Sequence, residues 1–565
     1  MNSFGKSLAL ILLFSMLGAC KPQQPVSDSQ QEVPKLSPFV WENATIYFLL
    51  TDRFLNGDPA NDFSMGRKQD GAMLRSFMGG DFKGITQKIR EGYFDKLGIT
   101  ALWMTPPVEQ IASATNEGTG KTYGFHGYWT RDWTRPDPNY GTEAEFQELV
   151  DTAHKHGIRI LMDAVLNHTG PVTAVDTQWP DDWVRTSPTC DFQTFKGTVE
   201  CTLVDNLPDI RTESNEDVDL PSFLVEKWKA EGAWEGEKAS LNAFFARTGH
   251  PRAPRFYIMK WLTDWVRKYG IDGFRVDTAK HTEPEIWSEL KALVVQALRD
   301  WKRENPAKKL DDLDFYMTAE VYNYFADNGR MFDFGDQQVD FFDYGFESLI
   351  NFSFKSDATR PPAELHAKYA SLLHSGPLQG VSVVNYLSSH DDGQPFDKSR
   401  ERALDAATQL LLSPGAAQVY YGDETARTLE VSGASGDAHL RSFMNWEEIE
   451  SNTRRGGHGT AEVLAHWQKL GVFRKEHLAV GAGTHTALQA QPYIFKREYV
   501  QNGITDKVLV ALGLDAAPAT HTIRVYDVFA DGDRVTDYYS GKESTVQNGE
   551  LRFGGVGTML LLAGQ

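Results

Sequence analysis

The regular alternation of short apolar runs with helical patterns between residues 44 and 424 is the feature that most constrains the fold of this chain. The run "ATIYFLLTDRF" (44–54) is typical of a buried strand, and "ITQKIREGYFDKLG" (85–98) is typical of an amphipathic helix. Strands that alternate with helices pair in parallel, because each helix returns the chain to the starting edge of the sheet. Further strands are predicted at "ITALWMTPP" (99–107), "IRILMDAVLNHT" (158–169), "IDGFRVDTA" (271–279), "FYMTAEVYN" (315–323), "VDFFDYGF" (339–346), "GVSVVNYLSSHD" (380–391) and "AAQVYYGDE" (416–424). The predicted fold class is therefore α/β, a (β/α)8 barrel whose active site lies at the C-terminal ends of its strands.

Two regions interrupt this alternation. Residues 170–254 contain no clean strand–helix unit, and we expect them to form a domain inserted after the third strand, between barrel parts 39–169 and 255–480. From residue 481 to residue 565 the strand patterns follow one another without helices between them. This change predicts a C-terminal all-β sandwich domain.

The first twenty residues, "MNSFGKSLALILLFSMLGAC", are typical of a targeting segment. Their apolar run, residues 8–17, is too short to span a bilayer and fits the core of a signal peptide. The segment ends in Leu-Gly-Ala-Cys, which resembles a bacterial lipoprotein cleavage box with Cys20 as the lipidated residue. The alternative is an ordinary secretory signal that happens to contain a cysteine. The polar, proline-rich residues 21–38 are predicted to be a flexible linker.

A lipidated Cys20 predicts an exported protein held in the cell envelope by a membrane anchor. Lys21 is not the aspartate that is usually linked with inner-membrane retention, so the outer membrane is favoured for a Gram-negative source. The other two cysteines, Cys190 and Cys201, are close in sequence. In a translocated protein this spacing favours a disulfide, with two free thiols as the alternative.

The net charge of the chain limits its partners. A formal charge of −20 argues against nucleic acid or anionic lipid as a binding partner and suits a neutral substrate. Aromatic residues make up 12% of the chain, which is compatible with a sugar-binding cleft but equally with a large core. We expect a monomer.

Polar side chains, most of them ionisable, gather where the predicted barrel strands end. Because these ends meet at one mouth of a barrel, the side chains are expected to converge there and to be catalytic. The alternative is a network of ion pairs that closes the barrel. The residues are Asp163, Asn167 and His168 after the third strand, Arg275, Asp277, Lys280 and His281 after the fourth, Glu320 after the fifth, and His390 and Asp391 after the seventh.

Paired carboxylates at this mouth suggest glycoside hydrolysis. One carboxylate must attack the anomeric carbon or activate water, and the other must protonate the leaving oxygen. Arg275 is two residues from Asp277 on the same side of the strand, and we expect it to hold the pKa of Asp277 down. Glu320 stands between Ala319 and Val321, an apolar local setting that permits the raised pKa of an acid.

Four ordered motifs make a specific resemblance visible. They are "DAVLNH" (163–168), "GFRVDTAKH" (273–281), "TAEVYN" (318–323) and "LSSHD" (387–391), and together they resemble the conserved motifs of the α-amylase family of glycoside hydrolases. Three further segments resemble family segments, namely "GFHGYW" (124–129), "LPDI" (207–210) and "LLSPGAAQVYYGDE" (411–424). The resemblance covers about residues 41–565, and it implies a catalytic barrel, an inserted B domain and a C-terminal β-sandwich.

The resemblance also implies roles for individual residues. Asp277 would be the nucleophile, Glu320 the general acid/base, and Asp391 the third acid, which grips sugar hydroxyls. Arg275 would be the partner of the nucleophile. The remaining substrate-binding residues implied by the family are His126, Tyr128, His168, Lys280 and His390. For Tyr128 a core aromatic residue is the alternative, and for Lys280 a solvated lysine.

Calcium is the metal that the resemblance implies, because hard oxygen ligands suit it. The first site would use Asn167, Asp209 and the backbone carbonyl of His281 to join the barrel to the B domain. The Cys190–Cys201 pair resembles a disulfide of some family members. A second site resembles a calcium loop of cyclodextrin glucanotransferases, with a simple turn cluster as the alternative. Its ligands would come from Asn56, Asp58, Asn61, Asp62, Gly79 and Asp81.

The sequence therefore predicts a retaining, endo-acting α-1,4-glucan hydrolase that degrades starch or maltodextrins through a covalent glycosyl–enzyme. A cyclomaltodextrinase or an α-glucan transglycosylase on the same fold is the first alternative. A non-catalytic glycan-binding lipoprotein is a remote one, because all three acids are present.

Overall fold

The computed structural model describes residues 38–515 and 520–564. Predictions about Cys20, the signal peptide and residues 21–37 lie outside these residues. Within them, no helix is both long enough and apolar enough to cross a membrane.

Eight parallel strands close into a barrel, as the sequence predicts. Each strand pairs with the next in chain order, and the first also pairs with the last. The strands are β1 (Thr45–Leu49), β2 (Ala101–Met104), β3 (Arg159–Ala164), β4 (Gly273–Val276), β5 (Tyr316–Ala319), β6 (Ser348–Asn351), β7 (Ser382–Tyr386) and β8 (Ala416–Tyr420).

The prediction for the sixth strand is wrong. Residues 339–346 do not form a barrel strand; they contain the end of a small hairpin strand, Gln338–Asp340, and a 3-10 turn, Phe341–Tyr344. The sixth strand begins two residues later, at Ser348, and all four of its residues are buried. The aromatic run 341–346 is apolar because several of its side chains pack into the core from a loop. A buried loop and a buried strand therefore have the same apolar sequence pattern, and the pattern does not distinguish them.

Helices of nine residues or more surround the barrel or lie in the insertion. They are α1 (Phe82–Arg90), α2 (Glu143–Lys155), α3 (Ser222–Ala230), α4 (Trp234–Thr248), α5 (Pro254–Tyr269), α6 (Glu285–Glu304), α7 (Pro362–His374), α8 (Ala403–Leu411) and α9 (Thr460–Glu476). Thr142 begins α2 with a capping box, in which its hydroxyl accepts from Glu145 N while the Glu145 side chain accepts from Thr142 N. The shorter helices are Thr51–Phe54, Tyr93–Lys96, Lys196–Val199, Phe354–Asp357, Trp446–Glu450 and Ala479–Ala482.

Small hairpins and strand pairs lie in the loops that follow the barrel strands and in the insertion. They pair Val108–Gln110 with Thr130–Pro136, Thr115–Asn116 with Lys121–Thr122, Val184–Arg185 with Asp209–Ile210, Met331–Asp333 with Gln338–Asp340, and Arg454–Arg455 with His458–Gly459. The insertion between β3 and β4 thus contains one short strand pair, the short helix Lys196–Val199 and the helices α3 and α4.

The C-terminal region is all-β. Its strands are β9 (Thr484–Gln489), β10 (Tyr493–Gln501), β11 (Ile504–Leu512), β12 (Thr520–Arg524), β13 (Arg534–Asp537), β14 (Lys542–Thr545), β15 (Glu550–Gly554) and β16 (Met559–Gly564). Six form an antiparallel sheet in the order β9-β10-β11-β16-β13-β14, and β12 pairs with β15. Alternate side chains such as Ile494, Leu509 and Leu551 form a separate apolar core between them.

Candidate active site

The barrel brings the three predicted acids to one mouth. Asp277 directly follows the last residue of β4, and Glu320 directly follows the last residue of β5. Asp391 lies in the loop after β7. All three line one cleft with a volume of about 590 Å³. Parallel strands place these side chains together because all C-terminal ends point to the same edge.

Arg275 links the buried carboxylates of this cleft. Its Nη1 lies 2.9 and 3.0 Å from the two carboxylate oxygens of Asp163, and 2.7 Å from Asp277 Oδ1. Its Nη2 lies 3.0 Å from Glu320 Oε2. The β-sheet register explains the first contact, because Arg275 on β4 stands directly beside Asp163 on β3. One guanidinium is therefore shared by three carboxyl groups, all of them buried.

Burial raises the pKa values of the two carboxyls that flank Arg275, and it raises them by different amounts. It raises the pKa of Asp277 to about 6, although Arg275 opposes the shift. Arg275 lowers the pKa of Asp277, as predicted, but the larger effect of burial leaves the net pKa above its ordinary value. Burial, reinforced by Asp277 and Asp391, raises the pKa of Glu320 to about 8 against the opposing effect of Arg275. Near neutral pH, Asp277 is thus largely ionised while Glu320 largely keeps its proton.

Aromatic and imidazole rings form one wall of the cleft. The Tyr128 hydroxyl donates to Asp163 Oδ2 at 2.8 Å, and the Tyr128 ring stacks on the ring of His390 with centroids 5.1 Å apart. His126 Nδ1 accepts from Tyr128 N at 3.1 Å, and His168 Nε2 lies 3.1 Å from Tyr128 O. Burial lowers the pKa of His168 to about 4 and that of His126 and His390 well below its usual range. Neutral imidazoles such as these can exchange hydrogen bonds with hydroxyl groups of an uncharged ligand.

A charged network that the sequence did not indicate contributes Glu117, Asp437 and Arg441 to the lining of the cleft. Arg75 Nη1 pairs with Glu117 at 2.7 Å, and Arg75 Nη2 pairs with Asp437 at 2.6 Å. Arg441 pairs with Asp437 at 2.7 Å and donates through Nε to His390 O at 2.8 Å. The network joins segments that are far apart in the chain, so no local pattern could have revealed it.

Lys280 and an exposed aromatic residue, Tyr322, line the same cleft. Lys280 Nζ donates to Tyr322 O at 3.1 Å and lies 5.5 Å from the centre of the Tyr322 ring. Other lining residues that the sequence analysis missed are Trp129, Phe192, Leu203, Val204, Leu207 and Asn323. Most belong to the insertion, which has no strand ends to mark its functional side chains.

The first predicted calcium site has a donor set that fits a hard cation. The amide of Asn167 places one terminal atom 3.2 Å from Asp209 Oδ1 and 2.7 Å from His281 O. An oxygen in that position faces two other oxygens, so either a donor NH2 stands there or a cation lies among three oxygen ligands. Burial raises the pKa of Asp209 to about 9, and a bound cation would favour its ionised form instead.

The residues of the second predicted site are only partly free to bind a metal. Asp81 caps α1 and accepts from Gly57 N and Asp58 N, while Asp58 pairs with Lys83. The Oδ1 atoms of Asn56 and Asn61 are buried without a hydrogen-bond partner in the described part of the chain.

Asp62 and Gly79 complete this loop. Asn56 Nδ2 donates to Asp62 Oδ1 at 2.9 Å. Gly79 has φ +90°, and a Cβ there would collide with Asn56 and Asp62. Two unsatisfied amide oxygens beside a carboxylate also fit a hard cation. Across residues 38–515 and 520–564, no group of three or more His, Cys, Asp or Glu residues could hold a metal, so each site would need amide or backbone oxygens in addition to its carboxylate.

A disulfide joins Cys190 and Cys201 in the insertion. Its loop touches the barrel mouth, because His281 Nδ1 lies 2.9 Å from Thr198 O.

The chain is similar to known alpha-amylases and cyclomaltodextrin glucanotransferases. The sequence model described as "Alpha amylase, catalytic domain" matches residues 48–483. A periplasmic alpha-amylase of Escherichia coli (strain K12) is 38% identical, over 85% of this chain and 73% of that protein. A cyclomaltodextrin glucanotransferase of Geobacillus stearothermophilus is 27% identical, over 86% of this chain but only 62% of that protein.

Solved structures support the same fold. The α-amylase of Geobacillus thermoleovorans in complex with acarbose superposes with a TM-score of 0.63 and 20% identity, covering 94% of this chain and 99% of that one. At this level of identity the likeness concerns the fold.

Proposed function

This chain belongs to the α-amylase family of glycoside hydrolases, and from that premise we propose that it is a retaining, endo-acting hydrolase of α-1,4-glucans such as starch and maltodextrins. The observation that carries the proposal is the pair Asp277 and Glu320, which line the cleft and both contact the guanidinium of Arg275. Two carboxyls within reach of a single side chain favour the shorter separation used by retaining enzymes, in which one carboxylate attacks the sugar directly.

The pKa values support a division of the two roles. Asp277, with a pKa of about 6, is the nucleophile that attacks the anomeric carbon and forms the glycosyl–enzyme. Glu320, with a pKa of about 8, holds the proton that the leaving glycosidic oxygen needs. After the leaving sugar departs, the Glu320 carboxylate takes a proton from water, and that water cleaves the glycosyl–Asp277 ester.

The surrounding side chains bind and orient the sugar at the cleavage point. Tyr128 offers a ring face beneath it, and His126, His168 and His390 exchange hydrogen bonds with its hydroxyls as neutral imidazoles. Asp391 is more exposed than Asp277 and Glu320, with 36% of its side chain accessible. It binds hydroxyl groups of the distorted sugar ring. Lys280 lies on the leaving-group side.

The product profile tests this proposal. Wild-type protein incubated separately with starch, pullulan and cyclodextrin should release a range of maltooligosaccharides from starch early in the reaction, which chromatography would show. Preferential opening of cyclodextrin would favour a cyclomaltodextrinase, and cyclic or lengthened products would favour a transglycosylase. The similarity to cyclomaltodextrin glucanotransferases is the reason for testing these alternatives. Binding of maltoheptaose without any cleavage would instead favour a glycan-binding protein.

Calcium is the proposed metal of the Asn167–Asp209–His281 site, and occupancy of the Asn56–Asp62 loop is a second proposal. A bound cation would supply the charge that holds three oxygens together and would fix the insertion to β4. Since His281 is four residues from Asp277, loss of the metal is expected to affect the nucleophile as well as the fold.

Chelation should therefore lower stability and activity together. Exhaustive dialysis against EDTA is expected to lower Tm by about 5 °C or more and to reduce kcat, with both restored by Ca²⁺, because a ligand that binds only the folded state stabilises it. Asp209→Asn should weaken the response of Tm to Ca²⁺. Asp62→Asn is the matched change in the second loop and separates the two sites. If chelation changed neither Tm nor kcat, the calcium proposal would be wrong.

Export and lipid anchoring through Cys20 are proposed from the N-terminal sequence. The relative named a periplasmic alpha-amylase supports export, and the outer membrane is the proposed location for a Gram-negative source. Full-length protein should sediment with the membrane fraction, and Cys20→Ser should release it. Equal distribution of both forms would contradict the anchor.

A further inference from the structure

A second cavity, called here the basal cavity, lies at the end of the barrel opposite to the catalytic cleft. It has a volume of about 490 Å³, and its barrel wall consists of residues at or just before the first residues of β1, β5, β6, β7 and β8. The C-terminal sheet contributes Tyr499 and Gln501 of β10 to another wall. Small-molecule sites have volumes of about 300–1,000 Å³, so the basal cavity has the size of a ligand site.

Three polar atoms of residues that line the basal cavity are buried without a hydrogen-bond partner in the described part of the chain. They are Trp41 Nε1, His374 Nε2 and Ser382 Oγ. Ser382 is only 6% exposed and lies on β7, where pairing with β6 fixes its backbone. Buried polar groups are nearly always hydrogen-bonded, because an unpartnered group has lost its bonds to water without replacement. Three such atoms on the residues around one cavity indicate that a polar ligand completes it.

The three atoms require a ligand that both donates and accepts hydrogen bonds. An indole N–H is a donor only, and a serine hydroxyl can act either way. The His374 ring makes a hydrogen bond to the backbone of Gly483, and burial lowers the pKa of His374, so the ring is neutral near pH 7. With its one N–H donating to that backbone, the ring has only an acceptor left at Nε2. Hydroxyl groups meet both demands, whereas an anion cannot donate to His374 and a metal ion cannot accept from Trp41.

The charge of the lining also favours a neutral ligand. Among the described residues that line the basal cavity, none is a lysine or an arginine, and two are carboxylates, Glu42 and Glu347. Glu347 Oε2 accepts from Met317 N at 2.9 Å, and the same carboxylate pairs with Lys291 outside the lining. An anion would therefore meet carboxylates with no lining cation to compensate, and a neutral polyhydroxylated molecule would not.

Trp41 is held in one orientation by its aromatic neighbours. Its ring stacks on Tyr316 with centroids 3.9 Å apart and an interplanar angle of 8°, and Phe39 packs edge-on against it at 5.0 Å. One face of the indole is thus covered by the barrel. Recognition by Trp41 would therefore depend on the N–H at the ring edge, and a donor that is already fixed loses little entropy when a ligand binds.

We propose that the basal cavity is a second, non-catalytic sugar site that binds a short maltooligosaccharide, with maltose as the smallest candidate. Sugar hydroxyls would donate to His374 Nε2 and accept from Trp41 Nε1, and Ser382 Oγ can do either. The choice of this sugar rests on the proposed hydrolase function, which would release such products, but the cavity and its unpartnered atoms do not depend on that function. Because the walls come from the barrel and from the C-terminal sheet, a bound sugar would stabilise the contact between them.

Ser382→Ala tests this site, because it removes one unpartnered hydroxyl and keeps the Cβ of the barrel strand. In the Asp277→Asn background, which prevents turnover, calorimetric titration with maltose should show a binding step whose Kd rises about tenfold when Ser382→Ala is added. Trp41→Phe keeps a ring on Tyr316 but lacks the N–H, and it should have the same effect. Ser288→Ala makes the same change as Ser382→Ala at an exposed serine of α6 and should leave the Kd unchanged.

The Tm of the protein with and without sugar separates binding from folding. Removing an atom that has no partner in the protein should not lower stability, so Ser382→Ala without sugar should unfold at the wild-type Tm or above it. With maltose at about 100 times its Kd, the Tm of the Asp277→Asn protein should rise by about 2 °C or more. The rise should be smaller in the protein that also carries Ser382→Ala.

Starch granules distinguish a free sugar from the end of a polymer chain. Weaker adsorption of Ser382→Ala protein to granules would show that the basal cavity takes chain ends, and unchanged adsorption with weakened maltose binding would assign it to free sugars. A maltose titration that neither Ser382→Ala nor Trp41→Phe alters would overturn the second site. Failure of wild-type protein to cleave starch would instead overturn the proposed function, and the titration would still report on the basal cavity.

Discussion

Replacing Asp277 by asparagine is expected to lower kcat on starch or maltoheptaose by at least about 10⁴-fold while leaving the fold intact. The amide cannot form the glycosyl ester, and no other carboxylate occupies its place at the end of β4. Arg275 would keep its contacts with Asp163 and Glu320, so the buried guanidinium would not lose all its partners. Reducing-sugar release measures kcat, and thermal unfolding measures the fold.

The matched control for this variant is Asp300→Asn on α6. It makes the same chemical change at a carboxylate that pairs with Arg303, away from the cleft, and kcat should stay within about twofold of wild type. Substantial hydrolysis by the Asp277→Asn protein would show that this residue is not the nucleophile.

Replacing Glu320 by glutamine should lower kcat on maltoheptaose by about 10²- to 10⁴-fold, the usual contribution of a general acid. The loss should be smaller for a substrate with an activated leaving group, because such a group departs without a proton. This dependence on the leaving group separates an acid from a residue that only supports the structure. Glutamine preserves the size of the side chain and can still accept from Thr278 N, a contact of 3.1 Å in the wild type.

The pH dependence of kcat/KM is a second test of the role of Glu320. Glu320 acts in its protonated form, so wild-type kcat/KM should fall as pH rises through about 8, where it loses the proton. Asp277 acts in its ionised form, so kcat/KM should also fall as pH drops through about 6. Because the two carboxyls interact, both limbs belong to the pair. Glu320→Gln should remove the alkaline limb measured with the activated substrate, and an unchanged alkaline limb would contradict the assignment.

The shared guanidinium explains why the pair retains a proton. Asp163, Asp277 and Glu320 are buried around one Arg275, so three ionised carboxylates would leave two uncompensated negative charges at a buried site. Such a charge is costly, and protonating one acid halves it. From the sequence, Arg275 was expected to be the partner of Asp277. Asp163 on the neighbouring strand β3 also contacts Arg275. The local sequence could not predict this contact, because it depends on which strands are neighbours.

Most of the barrel could be predicted because its strands and helices have distinct periodicities. The misplaced sixth strand shows the limit of that signal, since Phe341 and Phe342 are buried from a loop and look like strand residues. The charged network of Arg75, Glu117 and Asp437 was not predictable, because its members are separated by up to several hundred residues. The residue roles in catalysis and calcium binding remain predictions for the experiments above.

The sequence by itself determined the eight-stranded barrel, the β-rich C-terminal region and the identity of the acids at the strand ends, because strand direction alone sends those side chains to one mouth. Only the tertiary structure decided the charge state of the acids and the shape of the cleft. Burial depth and the sharing of Arg275 depend on which strands are neighbours. The placement of Phe192 depends on a disulfide loop anchored to His281 and Asp336, contacts that arise only when distant parts of the chain meet.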